Sequence, residues 1–271
     1  MSITNFQRNI CQLIAANRIA SGESYVAGGV ALNEMIGAPR FSTDIDLFHD
    51  TQEALNASWL ADTALLQEKG FELRVRVQYP SFIETIVKLG EEKMILQWAL
   101  DSAYRFFPLQ EHPVFGLTLH PFDLATNKTL ALIGRLEPRD WVDMISSHDA
   151  IQPLGYLAWA ASGKDPGLSP PFILEEAARS TRYAQIEIDA MPFEGSPPSV
   201  IELSQRWKRI LQEAREIVDV LPASATGACI LDSDGSLLRC GVVELQSMLK
   251  SNEVRFHSGC IRGAYPTIVP K

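Results

Sequence analysis

Asp44 and Asp46 are the residues whose types and spacing best suit chemistry. They stand in RFSTDIDLF, which alternates polar and apolar residues and reads as a β-strand. Side chains on a strand alternate faces, so both carboxylates point one way, about 7 Å apart, while Ile45 and Leu47 turn to the core. Two carboxylates side by side on such a strand are costly unless a cation lies between them. Magnesium, a hard cation that prefers oxygen ligands, meets that need, and the pair is half of such a site. Upstream, Gly28-Gly29 follows the apolar YVA and opens a helical stretch. Alone, Gly-Gly is usually a turn and Asp-x-Asp a solvated strand edge. Glycine turn, helix, breaker (Gly37-Ala38-Pro39) and carboxylate strand in that order are far rarer together.

These residues need a frame. The N-terminal segment reads as an amphipathic helix with Phe6, Ile10, Leu13 and Ile14 on one face. EALNASWLADTALLQEKG is helical, with Leu55, Trp59, Leu65 and Leu66 apolar and Gly70 as its stop. FELRVRVQY, FIETIVKL and KMILQWAL read as three strands of an antiparallel meander. From Phe122 helical periodicity dominates. Asp123 is placed to cap the first of these helices and Pro138 to begin the second. PLGYLAWAAS and the segment around ILEEAARSTRYAQI follow, and then a long helix with Ser199 and Glu202 as a capping box. Its predicted buried stripe is Leu203, Trp207, Ile210, Ala214 and Ile217. TGACILDSDGSLLRCGVVEL reads as a hairpin turning at Asp232 to Ser236. The predicted class is α+β: a mixed sheet with flanking helices over 1–120, a helical domain over 121–221 and a small mixed C-terminal appendage over 222–271.

The run from Gly28-Gly29 through Asp44-Ile45-Asp46-Leu47 resembles the signature of the DNA polymerase beta-like nucleotidyltransferases. Within that superfamily, GGVAL followed by RFSTDIDLF is most similar to the AbiEii/AbiGii-type toxin family. The 14 residues between Gly29 and Asp44 are at the long end of that family's spacing, an excess that the Gly37-Ala38-Pro39 turn absorbs. A second cluster, Lys128, Ala131 and Arg135, then Arg139-Asp140 and Asp143, resembles the family's downstream motif. The likeness covers roughly residues 22–180. It implies a nucleotidyltransferase-type fold and a magnesium-dependent transfer of a nucleotide from a nucleoside triphosphate to a hydroxyl. The implied acceptor is a tRNA 3′ end or a protein side chain, with growth inhibition as the outcome and a cognate antitoxin as partner. Asp44 and Asp46 would hold the metal, Gly28 and Gly29 the phosphates, and Lys128 the triphosphate tail.

Composition bounds this reading. A hydrophobic content of 46% and a charged content of 21% are those of a globular protein with ample core. No apolar run approaches membrane-spanning length, and the N-terminus lacks a signal-peptide layout, so a cytoplasmic protein without membrane partners is expected. The net charge of −9, from 24 Lys and Arg against 33 Asp and Glu, argues against a bulk nucleic-acid coat. It leaves room for a local basic patch that docks one RNA end. Cys11, Cys229, Cys240 and Cys260 are scattered, which argues against zinc and disulfides and suggests small buried or half-buried hydrophobes.

Magnesium-dependent nucleotidyl transfer usually uses a third carboxylate on a neighbouring strand. In the resembling families it stands mid-strand, where MILQWALDS has Gln97, with Asp101 four residues on. Asp101 serves only if the strand register shifts, and Glu84 on the preceding strand is the substitute. Lys128 is expected to meet phosphates. For Arg135, Arg139, Asp140 and Asp143, a salt-bridge network is at least as plausible. Ser42 is the better of Ser42 and Arg40 for orienting phosphates. ILDSDGSL resembles the Asp-x-Asp-Gly motif of haloacid dehalogenase-type phosphatases, but only about forty residues follow, too few for successive βα units. The competing reading is a catalytically inactive nucleotide- or partner-binding protein on the same fold, with Gln97 as its mark.

Overall fold

A computed structural model describes residues 3–267. The chain divides into two compact units, the first made of residues up to Ala103 with Pro108–His120 and the second of Tyr104–Phe107 with the chain from Pro121 onward.

The first unit runs α1 (Asn5–Ser21), β1 (Ser24–Ala27), α2 (Gly28–Ile36), β2 (Asp44–His49), α3 (Gln52–Glu68), β3 (Glu72–Tyr79), β4 (Phe82–Leu89) and β5 (Glu92–Leu100). After β6 (Tyr104–Arg105), which counts with the second unit, come β7 (Gln110–His112) and β8 (Gly116–Thr118). Seven strands form one mixed sheet in the order β3-β4-β5-β2-β1-β8-β7. The predicted meander is its β3-β4-β5 half, antiparallel throughout, while β5 runs parallel to β2. Thr4 and Thr51 cap α1 and α3, each accepting from a first-turn N–H.

Alternation on β2, β4 and β5 decides what faces solvent. Ile45, Leu47, Ile83, Val87, Met94, Leu96 and Trp98 are buried on one side, while Asp44, Asp46, Glu84 and Gln97 are half-buried on the other. Behind the sheet, Arg18 of α1 donates to Asp62 of α3 at 2.6 Å, and Trp98 Nε1 of β5 donates to the same carboxylate at 2.9 Å. Both charged groups are fully buried, so this pair ties two helices to the sheet.

The second unit contains α4 (Pro121–Arg135), α5 (Pro138–Ala150), α6 (Leu154–Lys164), α7 (Pro170–Ala177), α8 (Gln185–Asp189), α9 (Val200–Val220), β9 (Cys229–Leu231), α10 (Val242–Lys250), β10 (Arg255–His257) and β11 (Cys260–Ile261). Pro138 opens α5 as predicted, and Ser199 caps α9 by accepting from Glu202 N. The stripe of α9 buries Trp207, Ile210, Leu211, Ala214, Ile217 and Val218, leaving Leu203 half-buried. The helix expected around ILEEAARSTRYAQI is broken in two, with a short 3-10 segment, Ala178–Thr181, after α7.

Three further expectations need correction. Asp123 is not the cap of α4, because the helix already begins at Pro121. Its buried carboxylate instead accepts the N–H groups of Phe106 and Phe107 and pairs with Lys164 at 2.8 Å. The hairpin turns where expected, with Asp232 N–H donating to Ser236 O, but its second arm is one bridge, Leu231 to Leu237. β9 takes β10 as its strand partner instead. Cys260 is exposed, unlike buried Cys11 and Cys229. Among the described residues, no helix is long and apolar enough to cross a membrane.

Candidate active site

β1 ends at Ala27, which pairs across the sheet with Asp46. The chain then turns sharply at Gly28, whose φ of +68° favours glycine, and enters α2. A Cβ at Gly28 would overlap Asp46 Oδ2, so this glycine gives the carboxylate its seat as well as the turn. Ala27, at the N-cap, has no side-chain oxygen to satisfy the first N–H groups of α2. The helix therefore presents backbone donors and the positive end of its dipole beside Asp46. Gly37 closes α2 in the left-handed conformation, and the chain returns through Pro39 to β2.

Asp44 and Asp46 share the half-buried face of β2, with Ile45 and Leu47 buried behind them, as the spacing predicts. Ser42 is buried, and its hydroxyl donates to Asp44 Oδ1 at 3.0 Å. Gln7 of α1 holds this turn by donating to Ser42 O at 2.8 Å. Ser42 therefore orients Asp44. Hard oxygen donors on one face, backed by a glycine where a side chain would collide, suit a divalent cation.

Register settles where the other carboxylates lie. Asp46 stands opposite Gln97, and Gln97 stands opposite Glu84. Gln97 Nε2 donates to Glu84 Oε2 at 2.8 Å, and Arg76 pairs with the other oxygen at 3.2 Å. Asp101 lies beyond the end of β5, where its N–H donates to His49 O, four residues from the Gln97 row. At about 3.3 Å per residue, it is ~13 Å too far along the sheet to join Asp46. The register shift that Asp101 needs does not occur. Among the described residues, no group of three or more His, Cys, Asp or Glu converges as a metal site.

The structure brings Gly28, Gly29, Ser42, Asp44 and Asp46 together, whereas Lys128 belongs to the second unit. There Lys128 is buried, with Nζ 2.8 Å from Asp140 and 3.1 Å from Asp143. Arg135 donates to both oxygens of Asp140, at 2.6 and 2.9 Å. Burial alone would raise the Asp140 carboxyl, but hydrogen bonds and charge from Arg135 and Lys128 outweigh it and hold the group below the usual carboxylate range. The Lys128 ammonium, expected to meet a triphosphate, is engaged here by two carboxylates in a helix–helix network. Arg76 was legible only as a polar residue on a strand, since nothing local shows that a bulge between Val75 and Val77 interrupts the β3 register beside Glu84.

No protein-family model and no curated protein matches this chain. Among solved structures, it is similar to a proposed nucleotidyltransferase from H. pylori, with a TM-score of 0.51 and 14% identity over 80% of this chain and 96% of that one. JHP933 from Helicobacter pylori aligns with a TM-score of 0.50 and 13% identity over 80% of this chain and 95% of that one. The nucleotidyltransferase toxin MenT4 from Mycobacterium tuberculosis aligns with a TM-score of 0.47 and 13% identity, covering 80% and 87%. The two H. pylori structures show that the chain has the nucleotidyltransferase fold, a mixed sheet with flanking helices followed by a helical region.

Proposed function

We propose that this protein is a magnesium-dependent nucleotidyltransferase that moves a nucleotide from a nucleoside triphosphate to a hydroxyl acceptor, a tRNA 3′ end or a protein side chain. The observation that carries the reading is the seating of Asp46 against Gly28, which places the Asp44–Asp46 pair at the open N-terminus of α2. Asp44 and Asp46 would hold magnesium, which supplies charge neutralisation at the phosphates. The N–H groups that open α2 at Gly28 and Gly29 bind phosphate oxygens, and the helix dipole adds to that attraction. Ser42 keeps Asp44 turned to the site. In the transfer, the acceptor oxygen bonds to the α-phosphorus and the bond to pyrophosphate breaks. The motif likeness to AbiEii/AbiGii-type toxins supports growth inhibition as the outcome, a cognate antitoxin as partner and a cytoplasmic location.

Incubation with magnesium, each labelled triphosphate and total tRNA tests this. Label is expected in RNA or in protein, and in neither with Asp44→Ala or Asp46→Ala. Transfer that survives both substitutions would falsify the proposal.

One observation favours a second reading. Gln97 occupies the position beside Asp46 where a base would stand, and an amide cannot take the acceptor's proton. A binding protein that has lost turnover would take up triphosphate in a calorimeter without releasing pyrophosphate.

A further inference from the structure

Register lays a row of residues across the open face of the sheet. Ala27 on β1, Asp46 on β2, Gln97 on β5 and Glu84 on β4 stand successively opposite one another. Beyond them the edge strand β3 carries its bulge between Val75 and Val77. A bulge re-aims a side chain, and Arg76 is the residue between, reaching Glu84 Oε1 at 3.2 Å. Arg76 is about half exposed, whereas the Glu84 side chain is only 14% exposed.

Hydrogen-bond chemistry then fixes Gln97. The Glu84 carboxylate can only accept, so the amide –NH2 of Gln97 must be the group that meets it, at 2.8 Å. The amide oxygen is what Gln97 retains as an acceptor, one strand from Asp46. Amide oxygens are hard, neutral ligands for divalent cations. We propose that Gln97 supplies the third oxygen of the Asp44–Asp46 cation site, with Glu84 and Arg76 as positioning residues that lock its amide. This rests on the nucleotidyltransferase reading of that site. Two carboxylates and an amide carry one negative charge fewer than three carboxylates, so the free site binds its cation weakly and fills when the triphosphate brings more charge. A cross-strand Gln–Glu pair that only stabilises the sheet would have no such effect on the metal.

The test is Mn²⁺ titration of the full, nucleotide-free chain by calorimetry. Exchanging the two residues, Glu84→Gln with Gln97→Glu, keeps an amide–carboxylate bond but moves the carboxylate about 4.8 Å closer to Asp46. That swap is expected to bind Mn²⁺ at least about tenfold tighter than wild type, while Arg76→Ala and Glu84→Gln alone weaken binding by roughly tenfold. Gln97→Met, which keeps the length and removes the oxygen, weakens it too and serves if the swap does not fold. Wild-type affinity in the folded swap, or in Gln97→Met, overturns the role of Gln97. Asp44→Ala separates the two levels. If it abolishes Mn²⁺ binding while the Gln97 variants behave as wild type, this inference fails and the nucleotidyltransferase reading stands. If Asp44→Ala also binds as wild type, both fail.

Discussion

Two aspartate pairs in this protein are made by the same rule and set in opposite surroundings. Asp44 and Asp46 share a face because a strand repeats every two residues, and Asp140 and Asp143 because a helix brings i and i+3 together. The strand pair is half-buried on the open face of a sheet, beside a helix N-terminus and above a glycine. The helix pair is sealed, with Lys128 and Arg135 supplying its counter-charges from the same unit. A carboxylate pair that the protein neutralises internally and buries is architecture. One left half-buried on an open sheet face beside a helix N-terminus fits the ligand site proposed for it.

Substitutions should separate these uses. Asp44→Ala is expected to lower transfer by about 10⁴-fold, equivalent to ~5 kcal/mol of barrier, while the melting temperature shifts by only a few degrees. Asp140→Ala should do the reverse. It leaves the buried Lys128 ammonium short of its counter-charge and costs about 4 kcal/mol in urea unfolding. If Asp140→Ala melts like wild type but loses transfer, the two regions have been assigned the wrong way round.

A third test contrasts the two faces of β2 itself. His49 is buried on the back face with Nδ1 3.1 Å from Ala99 O, and burial pushes its pKa down from 6.5 to about 4. A lowered folded-state value means that the unfolded chain takes up the proton first. The stabilising contribution is therefore complete above pH 6.5 and is lost as pH falls toward 4, amounting to about 3 kcal/mol at most. His49→Gln should flatten the fall of the melting temperature between pH 6.5 and 4, and an unchanged slope would assign the loss to other groups. Gly28→Ala is expected to cost about 1–3 kcal/mol of stability from the positive φ. Because the new methyl displaces Asp46, transfer should fall further than the melting curve suggests, and a loss confined to stability would remove Gly28 from the site.

Much of the first unit was legible from local pattern. Alternation placed β2 to β5 and assigned Asp44, Asp46, Ile45 and Leu47 to the correct faces, while apolar periodicity found α1 and α3 and, in the second unit, α9. The failures share a cause. Lys128 reads as a phosphate contact with no sign of its ion pairs, because its partners, Asp140 and Asp143, lie on the next helix. Asp123 looks like a cap because the backbone of Phe106 and Phe107, which it serves, lies 16 or 17 residues away. Arg18, Asp62 and Trp98 form a buried network whose members lie 36 and 44 residues apart in pairs, a distance over which periodicity says nothing.

The sequence by itself determined the local chemistry: a turn that needs glycine, a strand that puts two carboxylates on one face, and helices with apolar stripes. These follow from steric and hydrophobic rules that act within a few residues. Tertiary structure alone decided the register that sets Gln97 beside Asp46, removes Asp101 and leads Arg76 to Glu84. It also decided that Lys128 is neutralised inside the protein. Register and ion pairing are choices among distant partners, made by the packing of the whole fold.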